Sequence, residues 1–405
     1  MVSPDRTAEE VRAWLATAWD PELALRAWRE RLVGSGWGCP SWPADLYGRG
    51  LPTSADAVVA AALADAGAVG VPTGAAMGLA APTILAHGSS DVQARHLRPI
   101  ATGEHTWCQL FSEPGSGSDL AGLTTTAVRD GDEWVVNGQK VWTTSAHHAD
   151  YGMLVARTDW DAPKHRGLTY FAFPMRQAGV EVRPLRQMNG YASFNEVFLT
   201  DARVPAADVI GEVGEGWRVA LATLAVERRG FARSADRGTL PPGGRRAVRE
   251  AKAESDEYWK TYEWYPQRAG RVDLVVPNAQ ANGRSADPVV RQRIAGVLAS
   301  QRVGRWTAGR AEAARRQGRA PGPEGSLAKL RASEVARAAA ALHSTIGGMA
   351  ARDGVAAELL LSVPAVSIAG GTDEVQRNIV GEQVLGLPKE PATDRDIPFR
   401  QVPRN

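Results

Sequence analysis

Hydrophobic spacing changes twice along this chain, and those changes restrict the fold more than any single motif. From Thr7 to about Ile100, apolar residues recur every three or four positions, as in AEEVRAWLATAW and PELALRAWRERLVGSG, the second closing on glycine. SADAVVAAALADAGA and SSDVQARHLRPIATG continue the pattern, with Ser or Asp near their starts. Near Thr106 it gives way to short apolar runs between turn residues: EWVVNGQKVWTT, YGMLVART, LTYFAFPM, VEVRPL and NEVFLTDARVP. Asn137-Gly138, inside the first run, reads as a hairpin turn. Helical spacing returns at Gly216 and holds through two long segments, one opening on Asp287-Pro288 and one ending on Gly347-Gly348. The order is helices, strands, helices. It predicts an α+β fold, mostly α, with a helical part at 1–105, an antiparallel β part at 106–212 and a second helical part at 213–405. About residues 238–284 interrupt the last part with GTLPPGGRR, an aromatic cluster YWKTYEWYP and a polar tail, which reads as an extension or lid with its own short helix.

Charge narrows the partners. The 47 basic and 45 acidic residues leave a net charge of +2, which gives no reason to expect nucleic acid or an anionic membrane. The two cysteines, Cys39 and Cys108, make neither a C-x-x-C pair nor a disulfide framework, so a reducing, cytoplasmic setting is expected. No signal peptide is read at the start. The apolar stretch Val71–Ala86 is broken by Thr, Gly and Pro and is too short to span a bilayer.

Three segments carry chemistry. CQLFSEPGSGSDLAGL (108–123) runs from a strand into a loop of Pro, Gly and Ser, where small residues let backbone N–H groups and hydroxyls approach a ligand. A plain turn between strands has the same composition. The loop lacks a G-x-G-x-x-G pattern, which disfavours a Rossmann site. VWTTSAHHADYG offers the flat face of Trp142 beside the hydroxyls of Thr143 and Thr144, a set suited to a planar heteroaromatic cofactor and also to strand propensity alone. His147 and His148 lack a third ligand at metal spacing, so no metal site is read. Near the end, AVSIAGGTDEVQRNIVGEQVLGLP brings an apolar run to Gly370-Gly371, after which Thr372 caps a helix with Asp373 and Glu374 in its first turn.

FSEPGSGSDLAG, VVNGQKVWTTSA, LVART, NEVFLTDARVP, GEGW and AGGTDEVQRNIVGEQVLGLP, in that order and spacing, resemble the acyl-CoA dehydrogenase family. The resemblance covers most of the chain. It implies an N-terminal helical domain, a central β domain and a C-terminal four-helix bundle, with FAD between the last two and reaching a neighbouring subunit. It implies that Gln109, Leu110 and Ser112 line the isoalloxazine, that Gly117 and Ser118 lie against cofactor or substrate, that Trp142 packs on the ring with Thr143 and Thr144 near N5, and that Thr372 and Glu374 touch FAD. Many relatives carry a catalytic Glu immediately before the Gly-Thr step, and here that residue is Gly370. A minority, the isovaleryl-CoA and long-chain type, places Glu-Arg on the first bundle helix, and LAVERRGFA supplies Glu227 and Arg228. At helical spacing Glu227 neighbours Thr223, Leu224, Gly230 and Phe231, a setting that raises a carboxylate's proton affinity. The alternative is a solvated Glu–Arg pair. Arg228 would then serve the CoA phosphates, and a backbone N–H near Gly371 would polarise the thioester carbonyl.

Two departures stand out. The family's R-x-x-F-G segment, whose Arg reaches a FAD pyrophosphate across the subunit interface, is not found, and Ala225 occupies a position that is often Asp. Both resemble an actinobacterial branch that handles bulky, ring-bearing or branched acyl groups, some of whose members form mixed tetramers with one catalytic subunit type. The implied partners are an acyl-CoA or acyl-carrier-protein thioester, an electron-transferring flavoprotein, and other subunits in a homo- or hetero-oligomer. The rival readings are a non-catalytic partner subunit and a flavin oxidase or monooxygenase on the same fold.

Overall fold

The computed structural model describes residues 4–230, 243–317, 323–392 and 394–403. Helices α1 (Pro4–Ala18), α2 (Leu25–Gly34), α3 (Ser54–Asp65), α4 (Ala81–His87) and α5 (Ser90–Thr102) form where the apolar spacing places them. Ser89 caps α5 by accepting from the Val92 N–H. Trp28, Leu32, Val11 and Val59 fill the core between α1, α2 and α3. A π-helical turn, Ala76–Ala80, leads directly into α4. Such turns widen a helix locally and often sit at functional sites.

The β part is one seven-stranded sheet: β1 (Trp107–Leu110), β2 (Thr126–Asp130), β3 (Glu133–Thr144), β4 (Tyr151–Arg157), β5 (Leu168–Pro174), β6 (Val180–Leu185) and β7 (Phe194–Pro205). Two expectations need correction. Asn137-Gly138 is not a hairpin turn, because β3 runs straight through it. The chain reverses at Gly131, between β2 and β3, and Asn137-Gly138 is a bulge in the β3–β7 ladder. Gly138 is needed there because a Cβ would lie 2.4 Å from Thr125 Oγ1. Nor is the sheet wholly antiparallel, since β1 pairs with β4 in parallel.

The second helical part contains α6 (Gly216–Gly230), α7 (Arg246–Lys260), α8 (Tyr265–Arg268), α9 (Val275–Ala281), α10 (Pro288–Arg316), α11 (Glu324–Gly347), α12 (Gly354–Ser362), α13 (Pro364–Ile368) and α14 (Asp373–Gln383). Asp287 opens α10 by accepting from the Val289 and Val290 N–H groups. The stretch 238–284 is more than one extension. Its α7 packs on α2 and adds Val248 and Ala251 to the N-terminal core, whereas α9 joins α10 and α11 through Val275 and Ala279. Among the described residues, one helical stretch is long and apolar enough to cross a membrane by length and composition, Gly354–Gln383, 30 residues. It is interrupted by the α12–α13 joint and by Gly370-Gly371, and its pieces lie against α11.

A core of Ile84, Leu97, Trp107, Met153, Tyr170 and Val219 joins the N-terminal helices, the sheet and α6. Three independent parts of the chain thus meet around α6, which fixes where any site on it must face.

Candidate active site

One wall of the candidate site is built by two short segments clamped together. Lys140, on β3, is fully buried, and its ammonium donates to Phe111 O (3.0 Å), Glu113 Oε1 (2.9 Å) and Val155 O (2.9 Å). Glu113 also accepts from the Thr124 N–H (2.7 Å), the Thr124 hydroxyl (2.9 Å) and the Thr125 N–H (2.9 Å). Burial pushes the Glu113 carboxyl up, but the Lys140 charge and these donors outweigh it and hold it at about 2. The next residue along, Val141, donates its N–H to Ser112 O at 2.9 Å. Residues 111–113 are therefore locked to residues 140–141, and Ser112 is held at the rim of the clamp.

The following two residues part company: Trp142 faces outward and Thr143 inward. A bulge between Lys140 and Thr143 turns Trp142 out of the ladder at φ +59°. Its ring is 57 % exposed, with one edge contact to Phe194 at 5.6 Å. A large aromatic held outward in a left-handed conformation is strained backbone that its own packing does not explain. Thr143 is buried, and among the described residues its hydroxyl has no hydrogen-bond partner. An orphaned buried hydroxyl beside an outward ring fits a planar, polar-edged group. Thr144 pairs with Phe194 at the end of β3. Gly117 and Ser118 are exposed, and a Cβ on Gly117 would meet open space. Leu110 is core rather than lining: it is fully buried under the sheet.

Glu227 approaches from α6. Gln109 Nε2, on β1, lies 3.4 Å from Glu227 Oε2. One helical turn earlier, Thr223 is buried with its hydroxyl 2.9 Å from Thr83 Oγ1 and 3.2 Å from the Tyr170 hydroxyl. These bonds fix the face of α6 that carries Glu227. Burial raises the phenol of Tyr265, Arg268 opposes that, and Tyr258 and then Glu227 add to it. The expected neighbour Phe231 and the side chain of Arg228 lie outside the described residues.

The Gly370-Gly371 turn has the predicted cap. Thr372 accepts from the Val375 N–H at 3.3 Å, and the two glycines adopt φ +68° and +86°. Asp373, buried in the first turn of α14, pairs with Lys329 at 2.7 Å and Arg337 at 3.2 Å. Gln376 donates to Gly370 O at 3.1 Å, and its buried Oε1 has no partner among the described residues. Glu374 points outward and pairs with Arg377, three residues on. Between the turn and the helix of Glu227 lies α11, which packs on α13 and α14 on one side and on α6 on the other. The structure thus brings Gln109 to Glu227 and Ser112 to the strand that carries Trp142 and Thr143, and places Thr372 and Gly371 at the start of α14, across α11 from α6.

Lys140 and Glu113 were not picked out by their residue types. A lysine in the same strand as buried Val136 and Val141 was a usable signal, because a buried ammonium requires a carboxylate partner.

Three family models match in chain order: the acyl-CoA dehydrogenase N-terminal domain at residues 5–104, the middle domain at 108–202 and the C-terminal domain at 276–385. The chain belongs to the acyl-CoA dehydrogenase family, oxidoreductases that act on CH–CH bonds. Among its relatives is the acyl-CoA dehydrogenase IpdE1 of Mycobacterium tuberculosis, strain H37Rv, 36 % identical over 94 % of this chain and 97 % of that protein. Similar solved structures include the Tcur3481-Tcur3483 steroid ACAD, with TM-score 0.66 and 25 % identity over 96 % of this chain and 98 % of that one. The ChsE4-ChsE5 complex from Mycobacterium tuberculosis aligns with TM-score 0.61 and 27 % identity, over 96 % of this chain and 98 % of that one.

Proposed function

We propose that this chain is an FAD-dependent acyl-CoA dehydrogenase in which Glu227 removes the α-proton of an acyl thioester. The observation that carries this reading is the meeting of Glu227 with Gln109, on the strand that runs directly into the cofactor-facing wall. A proton acceptor and a wall for a planar redox group on the same side are what α,β-dehydrogenation requires. Ser112, Trp142, Thr143 and Thr144 would hold the ring system, with Gly117 and Ser118 at the loop and Thr372 at the capped turn. FAD bound there supplies the acceptor for the β-hydride. Glu227 takes the α-proton, and the thioester carbonyl is polarised by a backbone N–H near Gly371. Gln109, hydrogen-bonded to Glu227, aims its carboxylate. Arg228 is assigned to the CoA phosphates from its place beside Glu227 in the sequence, and the reduced enzyme would pass electrons to an electron-transferring flavoprotein. The likeness to a complex titled a steroid ACAD supports a bulky, lipid-derived acyl group.

Glu227→Gln keeps size and hydrogen bonding but cannot accept a proton. Flavin reduction by acyl-CoA should fall by roughly 10²–10⁴ while flavin content and melting temperature hold. Reduction at the wild-type rate would remove Glu227 as the base.

The missing R-x-x-F-G segment supports a second reading, a subunit that needs a homologous partner to hold FAD. The similar two-component complexes support it too. The visible spectrum of the chain purified alone separates the two: flavin absorbance supports the first reading, and a folded, colourless protein the second.

A further inference from the structure

Residues 203–275 fall between the stretches matched by the middle and C-terminal family models. Within them, α7, the turn after it and α8 form a strap across the site. Its first half is tied to the N-terminal helices. Buried Arg29 makes two parallel bonds to Glu254, at 2.7 and 2.8 Å. Glu250 accepts the Leu25 N–H, and the Ala247 N–H reaches Pro21 O. Its second half is tied to the sheet. Trp264 is fully buried, and its indole N–H donates to Ser193 Oγ at 2.9 Å. Between these anchors the rings of Tyr258, Tyr262 and Tyr265 follow one another at 4.8 and 4.5 Å.

The row has two defined ends. Tyr265 packs on Trp264 at 5.1 Å, which meets Phe194 at 6.0 Å and through it the exposed Trp142 at 5.6 Å. Tyr258 lies over Gly74, where a Cβ would be 3.2 Å from its ring and where φ is +116°. Gly74 opens the approach to the π-helical turn, which packs on α6, the helix of Glu227. Gly74 therefore makes room for a ring directed inward rather than across the surface. Tyr258 and Tyr262 remain half-buried, so part of each ring faces open space, unlike the enclosed Trp264. The anchors hold the strap without them.

We infer that Tyr258 and Tyr262 are specificity-determining residues, forming the wall that limits how bulky an acyl group can lie beyond Glu227. The inference rests on the reading of Glu227 as the base. An α-carbon at that carboxylate places the rest of the acyl group along Tyr265, with Tyr262 and Tyr258 next in line. Rings fixed at both ends of a strap do not yield to a larger chain, and each removed ring leaves room for several methylenes.

The test is anaerobic flavin reduction by a straight-chain series from butanoyl- to palmitoyl-CoA, together with branched and cyclic acyl-CoAs. Wild type, Tyr258→Ala and Tyr262→Ala are compared. Dissociation constants for unreactive 3-thia-acyl-CoAs of the same lengths give a second readout. Because one methylene in an apolar pocket is worth about tenfold or more, the ratio of kcat/KM for long or bulky over short substrates should rise about tenfold in the alanine variants. The 3-thia affinities should shift in the same sense. If an alanine variant does not fold, Tyr262→Leu, closer in volume, should show a smaller shift in the same direction. An unchanged ratio, or a uniform fall for all lengths, overturns the wall while leaving Glu227 as base. A wild-type enzyme whose flavin no member reduces overturns both.

Discussion

The two sides of the site are held by different physics. The β side is set by charge: Lys140 and Glu113 are buried together, and every bond between them and the backbone fixes the loop at 111–113. The helical side is set by shape: α6 is located by the Thr83–Thr223–Tyr170 hydroxyl contacts and the strap by interlocked rings. Directional bonds define positions to fractions of an ångström and fail all at once. Packed rings tolerate substitution and change the volume they enclose. Under the proposed function, the first suits a surface that must match a fixed cofactor, and the second a pocket that sets which acyl group is accepted.

Breaking the charge is the largest perturbation of the comparison. Lys140→Met leaves Glu113 buried and unpaired, which costs about 3–5 kcal/mol. Chemical denaturation should show that loss, with flavin released early in the transition. Lys140→Met with Glu113→Gln should recover much of the stability, since no lone charge then remains. An equal loss in single and double variants would mean that the pair does not set this wall.

Acid tests the same pair from another side. The Glu113 carboxyl is held at about 2 against an ordinary 4.5, so its contribution is complete above 4.5 and is lost as pH falls toward 2. The stability difference between wild type and Glu113→Gln should stay flat down to the ordinary value and then shrink. A difference that persists unchanged in stronger acid would separate the effect from ionisation.

The smallest expected effect sharpens the contrast most. Trp142 contributes little packing in the chain itself and sits at φ +59°. Trp142→Gly should relieve roughly 1 kcal/mol of backbone strain in the apoprotein and raise its melting temperature. It should also weaken flavin binding by about 1 kcal/mol through loss of the ring face. Opposite signs in the two measurements mark a residue kept for its ligand. Parallel signs would make it an ordinary surface aromatic.

Periodicity made the helices and strands readable, and Thr372 and Asp287 act as the caps their residue types indicate. Asn137-Gly138 was misread because the freedom that suits a tight turn equally suits a bulge where Thr125 crosses closely. The parallel β1–β4 pairing has no local signature, since it joins strands with two others between them. Glu227 stood out for a carboxylate among apolar neighbours, yet its meeting with Gln109 depends on how α6 lands on the sheet. The strap was conspicuous in composition. Where its rings dock depends on Gly74, far earlier in the chain and in a different helical part, which nothing around residue 258 reveals.

The reach of the Lys140 ammonium also makes three stretches of chain depend on one another. Its bonds end on Phe111 and Glu113, just past β1, and on Val155 of β4, while its own backbone lies in β3. A change that loosens any one of these strands unfastens the others from the same ammonium, so Ser112, Trp142 and Thr143 share a common frame only in the assembled sheet.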